Sequence, residues 1–444
     1  MIRRLILLAC LGAALAAAFL VGFQRGRRNT GPRRIAITEP DIRRDDLQGR
    51  WYPTAPVAEA GDRELRRLQS VGYLGGYRAG PDTRGAATLD STRCAPGLTL
   101  VCSGHAPVAT LIDRDGRPVH TWEVPFRTVW PDSVPFPVHP EHREFLRRAE
   151  VLPNGDLIGL FEYVGIFRVD RAGRVLWRDA SLQHHDLQLL PDGGILTLAR
   201  RLVPPADLEA HLGAGTVPFR NLLVDDVLLM DASGHIRERI PLLEAIGASD
   251  FAPILQRIAH PDVFHANSVW RIETPSPDQA DLFGPGDILV SLRNISTVVA
   301  LDATTHRVKW AAAGPWHRQH QAVYLPDGDL LLFDNLGASR PLQAFDRSRV
   351  LRVDPLTGRI RWSFGGRPGE ELFSAWLGSV QPLPGGNVLV TEAAGGRLLE
   401  VAPDGAVVWT YVNPHRAGDA GEFIAVLLAA RRVPRSGLGF LATE

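Results

Sequence analysis

The sequence predicts an all-β chain folded as a six-bladed β-propeller, with an N-terminal membrane anchor or signal segment ahead of it. Three observations lead there. A Leu-Pro-x-Gly phrase recurs between alternating strands. A second phrase follows it, an Asp-x-x-Gly turn leading to a strand that ends near Trp. Gly (43) and Pro (34) are plentiful and Met (2) is scarce, which suits short strands and tight turns better than packed helices.

Residues 1–28 come first. Leu5 to Phe23 carry no charge, and Arg3 and Arg4 precede them. Such a run just spans a bilayer, and it also resembles a signal peptide, with small residues Ala14, Ala16 and Ala18 near a cleavage point. An uncleaved anchor is the expectation. Arg25, Arg27 and Arg28 make positive charge denser after the run, which by itself places the body inside the cell. The export-like start argues the other way, and a periplasmic or extracellular body is expected. Residues 29–95 read as an Arg/Pro-rich linker with one short helix at 62–72, where Leu65 and Leu68 share a face.

Residues 96–435 form the repeating body, and 436–444 a short tail. The first phrase reads Val151-Leu-Pro-Asn-Gly-Asp-Leu-Ile158, Leu189-Leu-Pro-Asp-Gly-Gly-Ile-Leu196, Tyr324-Leu-Pro-Asp-Gly-Asp-Leu-Leu331 and Pro382-Leu-Pro-Gly-Gly-Asn-Val-Leu389. Pro presets one dihedral of such a turn and Gly takes the positive one. The second reads Phe167-Arg-Val-Asp-Arg-Ala-Gly-Arg-Val-Leu-Trp177, and recurs up to Trp310, Trp362 and Trp409. Two hairpins per repeat make a four-stranded blade. Blades begin near residues 97, 147, 185, 265, 320 and 378. The first lacks an inner strand, and the segment 423–433 is strand-like enough to supply it, although Ala and Leu there also favour helix.

Composition excludes several classes. Lys+Arg (49) balance Asp+Glu (49), so no basic field gathers nucleic acid. Three cysteines are too few for a disulfide framework. Cys94 and Cys102 either close a small loop or remain unpaired thiols.

Candidate chemistry sits at one end of the inner strands. Six residues before the turn Pro stand Arg147, His185, His320 and Gly378, and His265 occupies the matching strand start in blade four. Three of five strands thus open with His. Equal steps from the turn place His185 opposite Arg200 and His320 opposite Asn335. Arg293 follows Gly286 at the spacing that Arg200 follows Gly193. Inner strands line a propeller's channel, so these ends converge on one mouth, with carboxamides from Asn267 and Asn335. His184 and His317 neighbour the main candidates. Because its strand is just beginning, either His184 or His185 can face the channel, whereas Asp186 is expected on the other face. Asp334 reads as a turn or supporting group. Three His can hold a metal, but no carboxylate shares their register, and no metal or other cofactor is expected.

These phrases resemble the arylsulfate sulfotransferase family: His184-His-Asp-Leu-Gln-Leu-Leu-Pro-Asp-Gly, His265-Ala-Asn-Ser-Val, Arg293, and Gln319-His-Gln-Ala-Val-Tyr-Leu-Pro-Asp-Gly, with Ser103-Gly-His-Ala-Pro-Val at the first blade. The resemblance covers about residues 95 to 435 and implies an exported six-bladed propeller that moves a sulfuryl group from aryl sulfates to phenols without a nucleotide sulfate donor. It implies that His320 takes the group as a sulfohistidine. It implies that His265, Asn267, Arg293 and one of His184 or His185 hold the sulfate oxygens. The chemistry is consistent: a neutral imidazole is a competent nucleophile near pH 7, and cationic donors stabilise the charge that shifts to the leaving oxygen. An aryl sulfate hydrolase and a membrane-tethered binding scaffold are the competing readings.

Overall fold

The computed structural model describes residues 51–53 and 83–443, apart from 133, 137, 139, 337–346 and 418–422. The anchor or signal segment and the short helix expected at 62–72 lie outside the described residues. Among the described residues no helix is long and apolar enough to cross a membrane.

Six antiparallel sheets are arranged around a central channel. Their innermost strands are Leu427–Val433, Arg148–Val151, Gln183–Leu189, Ala266–Arg271, His320–Tyr324 and Ser379–Pro382, in blades one to six. Each touches the next, and the sixth touches the first. Blades one to five have four strands. The inner strand of blade one comes from the far end of the chain: Leu427–Val433 pairs antiparallel with Leu98–Ser103, with Leu427 opposite Ser103 and Val433 opposite Leu98. The segment is therefore strand, not helix, because an unpaired inner edge stands ready to accept it. Phe423–Ala425, just before it, pairs with Trp51–Pro53.

Gly85–Leu89, inside the stretch read as linker, adds a fifth, outermost strand to blade six. The tail also joins the body: Phe440 packs edge-on against His120 and Trp122 of blade one, with centroids 5.6 and 6.2 Å away.

The two repeated phrases have separate jobs. In the first, the Leu before Pro closes the hairpin. Leu190 N donates to Gly194 O (2.9 Å), and Leu152 N and Leu325 N make the matching bonds to Asp156 O and Asp329 O. Gly155, Gly193 and Gly328 take φ of 89°, 84° and 91°, a region open to Gly at no steric cost. In the second phrase, the Trp of blades one, two, five and six latches the neighbouring blade. The indole N–H of Trp122 reaches Gly155 O in blade two (3.1 Å), Trp177 reaches Ala232 O in blade three (3.2 Å), and Trp362 reaches Pro403 O in blade six (2.9 Å). Trp409 closes the circle on Arg114 O of blade one (2.7 Å). Such bonds contribute about 1 kcal/mol each beyond the area the rings bury.

The channel is plugged by charge. Asp186 accepts from the backbone N–H groups of Leu187 (2.9 Å) and Val269 (3.1 Å) and from Gln321 Nε2 (3.2 Å), and Arg148 Nε approaches it to 2.9 Å. It thereby joins blades two, three, four and five. Glu150 extends the network to Arg431 on the closing strand (2.9 Å). Asp186 was expected on the opposite face. It turns inward because the strand bulges between His184 and Leu187, which breaks the two-residue alternation.

Cys94 and Cys102 are both buried free thiols. Cys94 lies in a different network, with its Sγ 3.2 Å from Glu400 Oε2. Burial pushes the Cys102 thiol up to about 12.

Candidate active site

At the channel mouth, where inner strands begin, lies a cavity of about 210 Å³. His185, His265, Arg293 and His320 line it, together with Glu162 and Tyr163; His142, Trp376 and Leu377 complete the wall. Four of the seven residues singled out from the sequence thus meet in one space. His184, Asn267 and Asn335 stand behind it.

The hairpin geometry differs from the equal-step expectation. His184 pairs with Leu198 and His320 with Phe333, because bulges intervene at 184–187 and 320–323, and a third follows Ala266. Neither His185 faces Arg200 nor His320 faces Asn335 in the ladder. His185 (φ 60°), His265 (φ 49°) and Gln321 (φ 47°) occupy the left-handed region, which is costly for residues with a Cβ. Bulges at the rim of a barrel or channel re-aim side chains. Here they bring the imidazoles of His185 and His265 to a centroid separation of 4.8 Å.

Each ring has a defined partner. His320 Nδ1 lies 2.7 Å from Asn335 Oδ1. Asn335 Nδ2 donates to two backbone carbonyls, Ser374 O and Leu377 O, both at 2.8 Å. The carboxamide therefore has its oxygen toward His320, which must donate from Nδ1 and keep a lone pair on Nε2. Burial, then the charge of Arg293, holds the His320 ring well below the usual imidazole range, so it is neutral near pH 7.

His265 Nδ1 lies 2.5 Å from Asp262 Oδ2. Burial works to raise the Asp262 carboxyl, but the bond and charge of His265 outweigh it and hold it below its ordinary value. His185 Nδ1 lies 2.8 Å from His184 Nδ1 and 3.5 Å from Glu162 Oε1. Burial and the charges of His265 and His184 push the His185 ring down. His184 Nε2 lies 3.2 Å from Asp225 Oδ1, off the line of a good hydrogen bond. His184 is a support for His185 rather than a lining group.

Arg293 is pushed down to about 10 by burial and by Arg318, and remains a cation at neutral pH. Asn267 differs from expectation: its Nδ2 donates to Gln319 O (2.8 Å) and so braces blade five, while its buried Oδ1 has no partner among the described residues.

Several lining residues were not foreseen. Glu162 and Tyr163 follow the second strand of blade two. The equal-step rule, applied to blade two as it was to blades three and five, puts Glu162 opposite Arg147, and the two do pair at 3.3 Å. Tyr163 is covered by the Arg200 guanidinium, 3.5 Å from its ring centroid. His142 comes from a segment outside the repeat, which carries no such signal. Among the described residues no group of His, Cys, Asp and Glu has metal-holding geometry.

Comparison with known proteins places this geometry. The arylsulfotransferase (ASST) family matches residues 149–414, more than half of the chain. No curated protein matches. Similar solved structures include a protein of unknown function from Bacteroides caccae (14% identity, TM-score 0.44, covering 75% of this chain and 99% of that one). A streptogramin B lyase (12% identity, TM-score 0.36, 61% and 69%) and a virginiamycin B lyase from Staphylococcus aureus (11% identity, TM-score 0.38, 77% and 97%) are also among them. The match across the blades that carry His185, His265, Arg293 and His320 shows that the chain belongs to the arylsulfotransferase family and is a transferase enzyme of it.

Proposed function

We propose that the cavity moves a sulfuryl group from an aryl sulfate ester to a phenolic acceptor through a sulfohistidine on His320, with no nucleotide sulfate donor. The observation that carries this reading is the Asn335 carboxamide, whose two backbone acceptors orient it so that His320 presents a lone pair on Nε2. In the first half-reaction Nε2 bonds to sulfur and the sulfur–aryl oxygen bond breaks. The phenolate leaves and takes a proton from His265, whose Nδ1 is held by Asp262. In the second half the acceptor phenol gives its proton to a neutral imidazole, its oxygen bonds to sulfur, and the S–N bond breaks. Arg293 faces the sulfuryl oxygens in both halves. The export-like start of the chain supports a periplasmic or extracellular body anchored by the N-terminal segment.

Exposure to 4-nitrophenyl sulfate without acceptor tests this. The intact protein should gain the mass of one sulfuryl group as 4-nitrophenol appears, and alkaline peptide mapping should put the label on His320. His320→Ala should lose both signals. Label on His185 or His265 reassigns the nucleophile, and active enzyme without label means direct transfer. Adding phenol should yield phenyl sulfate; free sulfate alone would make the enzyme a hydrolase.

A further inference from the structure

The cavity at the channel mouth has room for a sulfuryl group and one ring at most. Its volume of about 210 Å³ is below the roughly 300–1,000 Å³ usual for small-molecule pockets. A second, larger cavity has a volume of about 640 Å³. The segment joining blades one and two builds it, through a short helix at Phe126–Val129 and a turn at Pro140–Arg143.

Three aromatic side chains, Phe126, Trp130 and Phe136, wall this second cavity, with prolines between them. The wall is backed firmly. Phe126 and Trp130 stand edge-on to the buried Phe161, at 5.2 and 5.5 Å. Phe161 directly precedes Glu162 and Tyr163 of the smaller cavity. The Pro140–Arg143 turn is common to both spaces: His142 lines the small one and Arg143 the large one. The charges at the larger cavity cancel, Arg127 and Arg143 against Asp132 and Glu144. Arg143 also lies over the Phe126 ring, 5.3 Å from its centroid. Aromatic walls with balanced charge suit an uncharged flat group rather than an anion.

We infer that this cavity receives the distal ring of an aryl substrate with more than one ring, a linked or fused phenol or its sulfate ester, while the reacting oxygen lies in the smaller cavity. The inference rests on the sulfuryl-transfer reading above. Single-ring phenols leave the second cavity empty and gain nothing from it. Larger acceptors use it as binding remote from the reacting centre, which raises kcat/KM.

Two measurements test this. The first is the ratio of kcat/KM for 4-phenylphenol to that for phenol, with 4-nitrophenyl sulfate as donor. Phe126→Ala and Arg143→Ala should each lower the ratio, the former about tenfold, as expected for losing one aromatic contact. Arg143 is exposed and donates to Val138 O (3.2 Å), so the melting transition of its variant is checked alongside, and Phe126→Leu should recover part of the ratio. The second is calorimetric binding of 4-phenylphenol to His320→Asn, alone and combined with Phe126→Ala. Weaker binding in the combined variant supports the cavity even where no sulfuryl group moves, so failed transfer overturns only the reading of the reaction. An unchanged ratio together with unchanged binding overturns the inference.

Discussion

Removing the Asp186 carboxylate should destabilise the propeller far more than removing a surface carboxylate at the same ion-pair distance. In the channel, Asp186 and Arg148 lie 2.9 Å apart, with side chains 2% and 11% exposed. At the surface, Asp115 and Arg117 lie 2.8 Å apart, but 52% and 76% exposed. Distance is matched, so the difference reports burial. Asp186→Ala removes the nearer of the two buried carboxylates at Arg148, with Glu150 left at 3.6 Å, and leaves the N–H groups of Leu187 and Val269 without their acceptor. Breaking a buried pair from one side costs roughly 3–5 kcal/mol. With an unfolding entropy of about 2.1 cal/mol/K per residue, a body of roughly 350 residues loses about 5 °C of Tm for about 4 kcal/mol. Asp115→Ala should scarcely move the transition, as exposed pairs contribute about 0–1 kcal/mol. Replacing Asp186 and Arg148 together by Leu and Met should recover much of the loss, since no unpaired charge remains. Differential scanning calorimetry in low and high salt is the assay. Equal shifts for the two single variants would mean that the channel is wet, and would refute the account of the plug.

Asn335→Ala should lower kcat about a hundredfold in a stopped-flow assay of 4-nitrophenol release, because a nucleophile out of position loses roughly that much; an unchanged rate means that His320 is held by something else. The pH profile should show the depressed His320: a lowered pKa keeps Nε2 unprotonated to lower pH, so the acid limb of kcat/KM should fall below the ordinary imidazole value of 6.5. Asn335→Asp, which puts a carboxylate against Nδ1, should move that limb upward, and a limb fixed in both would remove His320 from the titration. Arg293→Ala should slow both half-reactions by about 3–4 kcal/mol, comparable with losing one oxyanion donor; slowing with one acceptor alone would make Arg293 an acceptor-reading group. Trp362→Phe should cost about 1 kcal/mol for the lost bond to Pro403 O, read as a lower midpoint in urea.

Much of the fold was legible because the repeats carry their own physics. Leu-Pro-Asp-Gly closes hairpins at Leu190 and Leu325, and the recurring Trp latches blades. The closing strand was legible because blade one lacked an inner partner. The site was legible as a location, since three His share one end of their strands. Its internal arrangement was not. Bulges at 184–187 and 320–323 shift the pairing; His enters positive φ more readily than most residues, but one His does not mark a bulge, and Gln321 carries no such signal. That hid the inward turn of Asp186. The second cavity was hidden for another reason: the segment around Phe126 and His142 belongs to no repeat.

Ring closure by Leu427–Val433 has a consequence for biosynthesis. Synthesis runs from the N-terminus, and domains fold as their last required piece emerges. Blade one has its three outer strands early, yet its inner edge stays bare until almost the whole propeller has been translated. A ribosome that stops early releases a chain with blades but no circle, exposing strand edges that invite pairing with other chains. The ring thus acts as a completeness check, since only a polypeptide translated through Val433 can remove its own sticky edge.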